Sequence, residues 1–209
     1  MTANVTVTAV FALNSSPSFA VTVSVRGSAS GTVTSNPAGI TNCAGTCTAS
    51  YISGTPLLLT AAPGAGATFK QWGGACGGAT TCTVTVDAAK SVTATFSQTF
   101  TDGSGANGTV SGQITVIKAV HVTELRSAID KLRAVNGLGG FTWTDSTPTP
   151  GLTVVKRAHF TDLRTALSQA YQAAAQTAPS FTDSSISPGL TIIKASHLNE
   201  LRNGVRALE

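Results

Sequence analysis

The sequence predicts a multidomain β plus α chain, in which a small antiparallel β module is followed by a three-repeat loop-helix bundle. Three observations predict it. Charge is divided along the chain: before Phe100 the only charged residues are Arg26, Lys70, Asp87 and Lys90. Residues 21 to 96 read as short alternating or β-branched stretches broken by turn residues, with no helical periodicity. After residue 112, His121, His159 and His197 recur at a step of 38 residues within matching words, TVIKAVHVTELR, TVVKRAHFTDLR and TIIKASHLNELR, which marks an internal repeat.

At 209 residues the chain can bury two small cores. Only 11% of residues are charged and 42% are hydrophobic, and the balance is rich in Gly, Ala, Ser and Thr, as in secreted bacterial modules. Thirteen Lys and Arg face nine Asp and Glu with no dense basic run, so no nucleic-acid partner is expected. Neither a membrane span nor a signal-peptide pattern is present in the sequence given. The expectation is a piece of a longer protein, or a chain whose export signal has been removed.

The opening residues 2–11, TANVTVTAVF, align without a gap to residues 87–96, DAAKSVTATF. Residues 1–11 are therefore expected as a stray strand like the closing strand of a preceding module, with 12–20 as linker. Two explanations stand: a cut tandem array, or donation of this strand to a neighbouring subunit in a filament.

Residues 21–96 form the expected β module. Val84 and Val86, and then Val92, Ala94 and Phe96, fall on one face of their strands, with threonines turned to solvent. All four cysteines lie here. The spacings CAGTC and CGGATTC are too irregular for zinc knuckles and no histidine is near, so disulfides are expected. Of three connectivities the local one, Cys43 with Cys47 and Cys76 with Cys82, suits two short Gly-bearing loops and an oxidising compartment.

The stretch from GSASGTVTSNP to KSVTATF, with its FKQWGGAC core, resembles the divergent internalin-type B-repeat of bacterial surface and secreted proteins. The resemblance implies a β-grasp-like or related small β fold, a spacer or adhesive stalk role, and no catalytic residues. Trp72 is then a core or turn-packing aromatic, with carbohydrate stacking as the alternative.

Residues 97–112 are read as linker and first repeat loop, and 113–209 as the three units. Each opens on an aromatic-Thr-Asp loop, at Phe100, Trp143 and Phe181, and enters a helix near Lys118, Lys156 or Lys194. The helices carry apolar stripes: Val122, Leu125, Ile129 and Leu132; Phe160, Leu163, Leu167 and Ala170; Leu198, Leu201, Val205 and Leu208.

His121 with Glu124, His159 with Asp162, and His197 with Glu200 stand three residues apart, so each pair shares a helix face. Two readings follow. The pairs are metal ligands, or each histidine bonds a loop backbone at the edge of the core while its acid benefits from the helix N-terminal dipole. The second is preferred, and no metal, cofactor or catalytic residue is assigned. Asp102, Asp145 and Asp183 lack the rest of a calcium loop and read as turn residues. Nucleophile-elbow, zinc-protease and phosphate-loop motifs are absent from the sequence.

The unit FTDSSISPGLTIIKASHLNELR is also similar to the end of an S-layer homology repeat, a wall-glycan binder, but the helix-opening signature of that family is replaced by K-A-V-H, K-R-A-H and K-A-S-H. No ligand site carries over. The expectation is a non-enzymatic structural or adhesive segment of a bacterial secreted or cell-surface protein. Anchoring to wall polysaccharide, or service as an accessory region of a larger secreted enzyme, is the alternative.

Overall fold

In the computed structural model, residues 3, 6–9, 16–111, 116–149, 152–187 and 191–209 are described. Alternation of valine and threonine builds the first module. Its strands are β1 (Ser18–Gly27), β2 (Gly31–Asn36), β3 (Thr46–Ile52), β4 (Thr55–Pro63), β5 (Ala67–Gly74), β6 (Cys82–Val86) and β7 (Lys90–Gln98). They form a four-stranded sheet in the order β3-β1-β7-β5 and a three-stranded sheet in the order β2-β4-β6. Val84 and Val86 of β6 and Val92, Ala94 and Phe96 of β7 are buried with Val21, Val23, Leu57, Leu59 and Trp72 in one core. Full burial of each large aliphatic or aromatic side chain contributes about 1.5–3 kcal/mol.

The structure departs from the sequence reading in four places. β1 and β7 run parallel, from Val21 beside Lys90 to Gly27 beside Phe96, so the module is not wholly antiparallel. Side chains alternate identically in both strand directions, and only hairpin neighbours are forced to be antiparallel. No helix crosses the sheet between Ser18 and Gln98, where a β-grasp has one; the second sheet covers the core instead. The module begins at Ser18, inside the expected linker, because Ser18 to Ser24 pair with β3. Finally, Thr95 and Ser97 are buried, and Ser97 hydrogen-bonds the second module.

The strand expected over residues 1–11 lies largely outside the described residues. Residues 6–9 are exposed and belong to no strand, with Val7 86% exposed.

Cys43 is bonded to Cys47 and Cys76 to Cys82, with Cα separations of 6.0 and 5.6 Å. The first clips the connection between β2 and β3, and the second ties the loop after β5 to the start of β6. Trp72 is 3% exposed, packs on Phe69 and donates its indole N–H to the Thr80 carbonyl at 2.9 Å, which leaves no ring face for a sugar.

The second module consists of α1 (Ala119–Val135), α2 (Arg157–Ala173) and α3 (Ala195–Leu208) with the loops that precede them. Every residue of the three apolar stripes is buried, and Phe100, Val110 and Ile186 of the loops join the same core. α1 ends before Gly137, whose φ of +78° continues no helix. α2 and α3 meet at Gly204, where a Cβ would stand 2.9 Å from Leu167; the Tyr171 hydroxyl donates to the Gly204 carbonyl at 2.8 Å.

The modules are joined by more than the chain. The Glu209 side chain is fully buried between them, accepting hydrogen bonds from Ser28, from Ser97 at 2.6 Å, from Arg206 at 2.8 Å and from Lys70 at 3.1 Å. Arg206 also donates to the Gln98 carbonyl.

Candidate functional site

The ionisable side chains of the second module gather where each loop meets a helix start. Lys118, Lys156 and Lys194 are N-cap residues with extended backbones. Lysine supplies no capping oxygen, and its charge is adverse at the positive end of a helix. Two neighbours correct this.

The first neighbour is the histidine at the third helical position. Nδ1 of His121, His159 and His197 accepts the backbone N–H of the N-cap lysine at 3.2 Å in all three helices, the role that Glu or Gln has in a capping box. The proton of the neutral ring is therefore on Nε2, which points to the loop aspartate: Asp102 at 3.3 Å, Asp145 at 3.1 Å and Asp183 at 3.0 Å.

The second neighbour is that aspartate, which also meets the lysine ammonium. The separations are 2.8 Å for Lys118–Asp102, 2.7 Å for Lys156–Asp145 and 3.8 Å for Lys194–Asp183. Each loop aspartate is thus paired with an ammonium of its own unit. Each aspartate has a left-handed backbone, with φ of 55°, 51° and 52°, a conformation that Asp tolerates better than most residues. The hydrogen bond from Lys118 holds Asp102 below the usual carboxylate range, and that from Lys156 does the same for Asp145.

The expected roles of the pairs are corrected in detail. The histidines bond a loop carboxylate as well as the backbone N–H of the N-cap lysine that ends the loop. No acid lies in the first turn of any helix, so Glu124, Asp162 and Glu200 do not serve the helix dipole. They take the backbone N–H of the loop threonines instead: Thr101 to Glu124 at 3.0 Å, Thr144 to Asp162 at 2.8 Å and Thr182 to Glu200 at 3.1 Å. Histidine and acid share a helix face, yet their hydrogen bonds diverge onto two points of one loop. Both ring nitrogens of each histidine are engaged, and a metal would have to displace those bonds. Among the described residues no group of three or more His, Cys, Asp or Glu side chains could hold a metal ion.

Arginines that carried no role in the sequence reading complete the arrangement. Arg126 of α1 reaches forward to the second loop, donating to the Asp145 and Thr144 carbonyls at 2.8 and 2.5 Å. Arg164 of α2 does the same to Asp183 and Thr182 of the third loop, at 2.8 and 2.9 Å. Arg202 of α3 returns to the first loop, donating to the Gly108 carbonyl and, at 2.9 Å, to that of Thr101. Each guanidinium lies over its loop aromatic, 5.1 Å from Trp143, 4.6 Å from Phe181 and 4.7 Å from Phe100. Every loop is therefore gripped by the helix that follows it and by an arginine of another helix, and the third arginine closes the circle. The signal was present in the sequence, since an arginine stands five residues after each histidine.

Burial removes His121 from water and the Arg202 charge stands near it, so its pKa is lowered from the ordinary value despite the Asp102 hydrogen bond. The unfolded chain then takes up the extra proton. The associated stability is present above about pH 6.5, the unfolded histidine value, and is lost as pH falls through it towards the folded pKa. Asp102 and Asp145 act with the same sign at more acidic pH. The urea midpoint of the second module is expected to fall between pH 7.5 and 5, and His121→Asn, which keeps an acceptor near the Lys118 N–H, is expected to flatten that slope.

Compared with known proteins, residues 21–100 match the model of the Divergent InlB B-repeat domain. No curated protein and no solved structure matches the chain.

Proposed function

From a B-repeat module latched to a circle of three loop-helix units, we propose that this chain is a non-enzymatic structural segment of a bacterial secreted or cell-surface protein, a spacer of fixed shape. The B-repeat family is non-catalytic, and the match over residues 21–100 suggests a surface module; two disulfides suit an extracellular site. The three helical units are read as copies of one 38-residue building block, with His121, His159 and His197 as locks and not as ligands.

The observation that carries the spacer reading is Glu209. A carboxylate fully buried between modules and matched by four donors makes the junction stiff, whereas a simple linker leaves neighbouring modules free to reorient. Small-angle X-ray scattering of the intact chain is expected to fit one fixed shape. Glu209→Ala strands Lys70 and Arg206, at a cost of about 1–3 kcal/mol, and is expected to broaden the distance distribution. A wild-type chain that scatters as two independently moving lobes would overturn the reading.

A second reading, self-association by strand donation through residues 2–11, is favoured by one observation. Val7, Thr8, Ala9 and Phe11 repeat Val92, Thr93, Ala94 and Phe96 of β7, while among the described residues β3 and β6 are each paired on one side only. Sedimentation velocity is expected to show concentration-dependent assembly that Val7→Lys abolishes; a monomer at all concentrations would count against it.

A further inference from the structure

Eleven of the thirteen Lys and Arg side chains are engaged within the protein; the two that remain meet in one place. The chain has 13 Lys and Arg. Among the described residues, Lys70 and Arg206 are matched by Glu209, Lys90 by Asp87, and the three N-cap lysines by the loop aspartates. Arg126, Arg164 and Arg202 hold loop carbonyls, Arg133 holds Gly139, Ala166 and Gln169, and Arg157 holds the Ile186 carbonyl. Among the described residues, Arg26 and Lys131 are the only cations whose side chains make neither an ion pair nor a hydrogen bond. They belong to different modules, β1 and α1, yet both line the same groove at the junction.

The groove has a volume of about 360 Å³ and contains no carboxylate in its lining. That size lies within the range of small-molecule sites, roughly 300–1,000 Å³, and junctions between domains are where such sites concentrate. The neighbouring acids are occupied. Asp130, next to Lys131, accepts the Phe141 N–H and the Trp143 indole N–H, at 3.2 and 2.9 Å. Glu209, which touches Ser28, is neutralised by Lys70 and Arg206. Two positive charges thus face an open groove with no carboxylate among the described residues that line it.

The rest of the lining is small. Gly27, Gly31, Gly45 and Ala29 bring backbone close to the surface, Val25 and Val135 add apolar contact, and Ser30 and Thr46 add hydroxyls. Gly27 and Gly31 are also required by the fold, because a Cβ on either would collide with Phe96. Cations beside hydroxyls and a thin apolar floor suit a compact hydroxylated ring bearing one negative group.

We propose that this groove binds an acidic saccharide, its carboxylate or phosphate held between Arg26 and Lys131. The site exists only when the modules are docked, because each supplies one cation. It is separate from the helix-start histidines and needs no part of the S-layer-like resemblance.

The test is a titration of the intact, isotopically labelled chain followed by amide NMR, with glucuronic acid, glucose 6-phosphate and glucose as probes. Either anionic sugar, or both, is expected to shift the amides of Gly27, Gly31 and Gly45; whichever of the two binds more tightly identifies carboxylate or phosphate as the preferred group. Glucose is expected to shift none of them. Arg26→Ala and Lys131→Ala, both at exposed positions, are each expected to weaken binding about tenfold, and added salt to weaken it further. Absence of shifts with both anions, equal shifts with glucose, shifts confined to another surface, or unchanged affinity in both variants would overturn the proposal.

Discussion

Arg202→Ala is expected to destabilise the helical module by about 3–5 kcal/mol, the cost of breaking a buried charge network by removing one partner. Arg202 is fully buried. Its loss frees the Thr101 and Gly108 carbonyls, removes the charge 3.6 Å from Glu124, and leaves a void beside Phe100. For a domain of this size the melting temperature should drop by more than about 10 °C. Arg157→Ala, at an exposed position with one hydrogen bond to the Ile186 carbonyl, serves as the control and should cost far less. A loss below about 1 kcal/mol on Arg202→Ala would mean that the first loop is held by α1 alone.

Phe96→Ala is expected to have an effect of similar size, about 3–5 kcal/mol, in the other module. The ring is fully buried, meets Phe69 at a centroid distance of 5.5 Å, and fills the space that Gly31 leaves open. In a Trp143→Phe background, fluorescence reports on Trp72 alone. Its emission should shift to the red at a lower denaturant concentration than in the parent, ahead of the helical signal. Coincident loss of both signals would instead mean that the two modules unfold as one.

What the sequence disclosed and what it hid follow from the range of the interactions. Val122, Leu125, Ile129 and Leu132 were legible as core because helical spacing alone puts them on one face, and the two other stripes likewise. The common step of the histidines marked them as one recurring position. Their partners were not legible, because the bond from Nε2 reaches an aspartate 14 or 19 residues upstream across a loop of variable length. Arg202 was further out of reach, since its carbonyl partners lie 94 and 101 residues away. The parallel pairing of β1 with β7 was hidden for a different reason, that alternation fixes which face a residue occupies but not the direction of the strand beside it. Glu209 gave no signal at all: a glutamate ending an amphipathic helix reads as solvated, and only the docked sheet buries it.

The return of Arg202 to the first loop also bears on how such a region could change in length. In an open solenoid each added unit stacks on the last and capping units finish the ends. Here the last arginine already occupies the first loop, so an inserted or deleted unit, which adds or removes one loop and one arginine together, has to reclose the circle at another size around a core shaped for three helices. A change of one unit is therefore expected to disturb the whole helical core and not only the end of the segment.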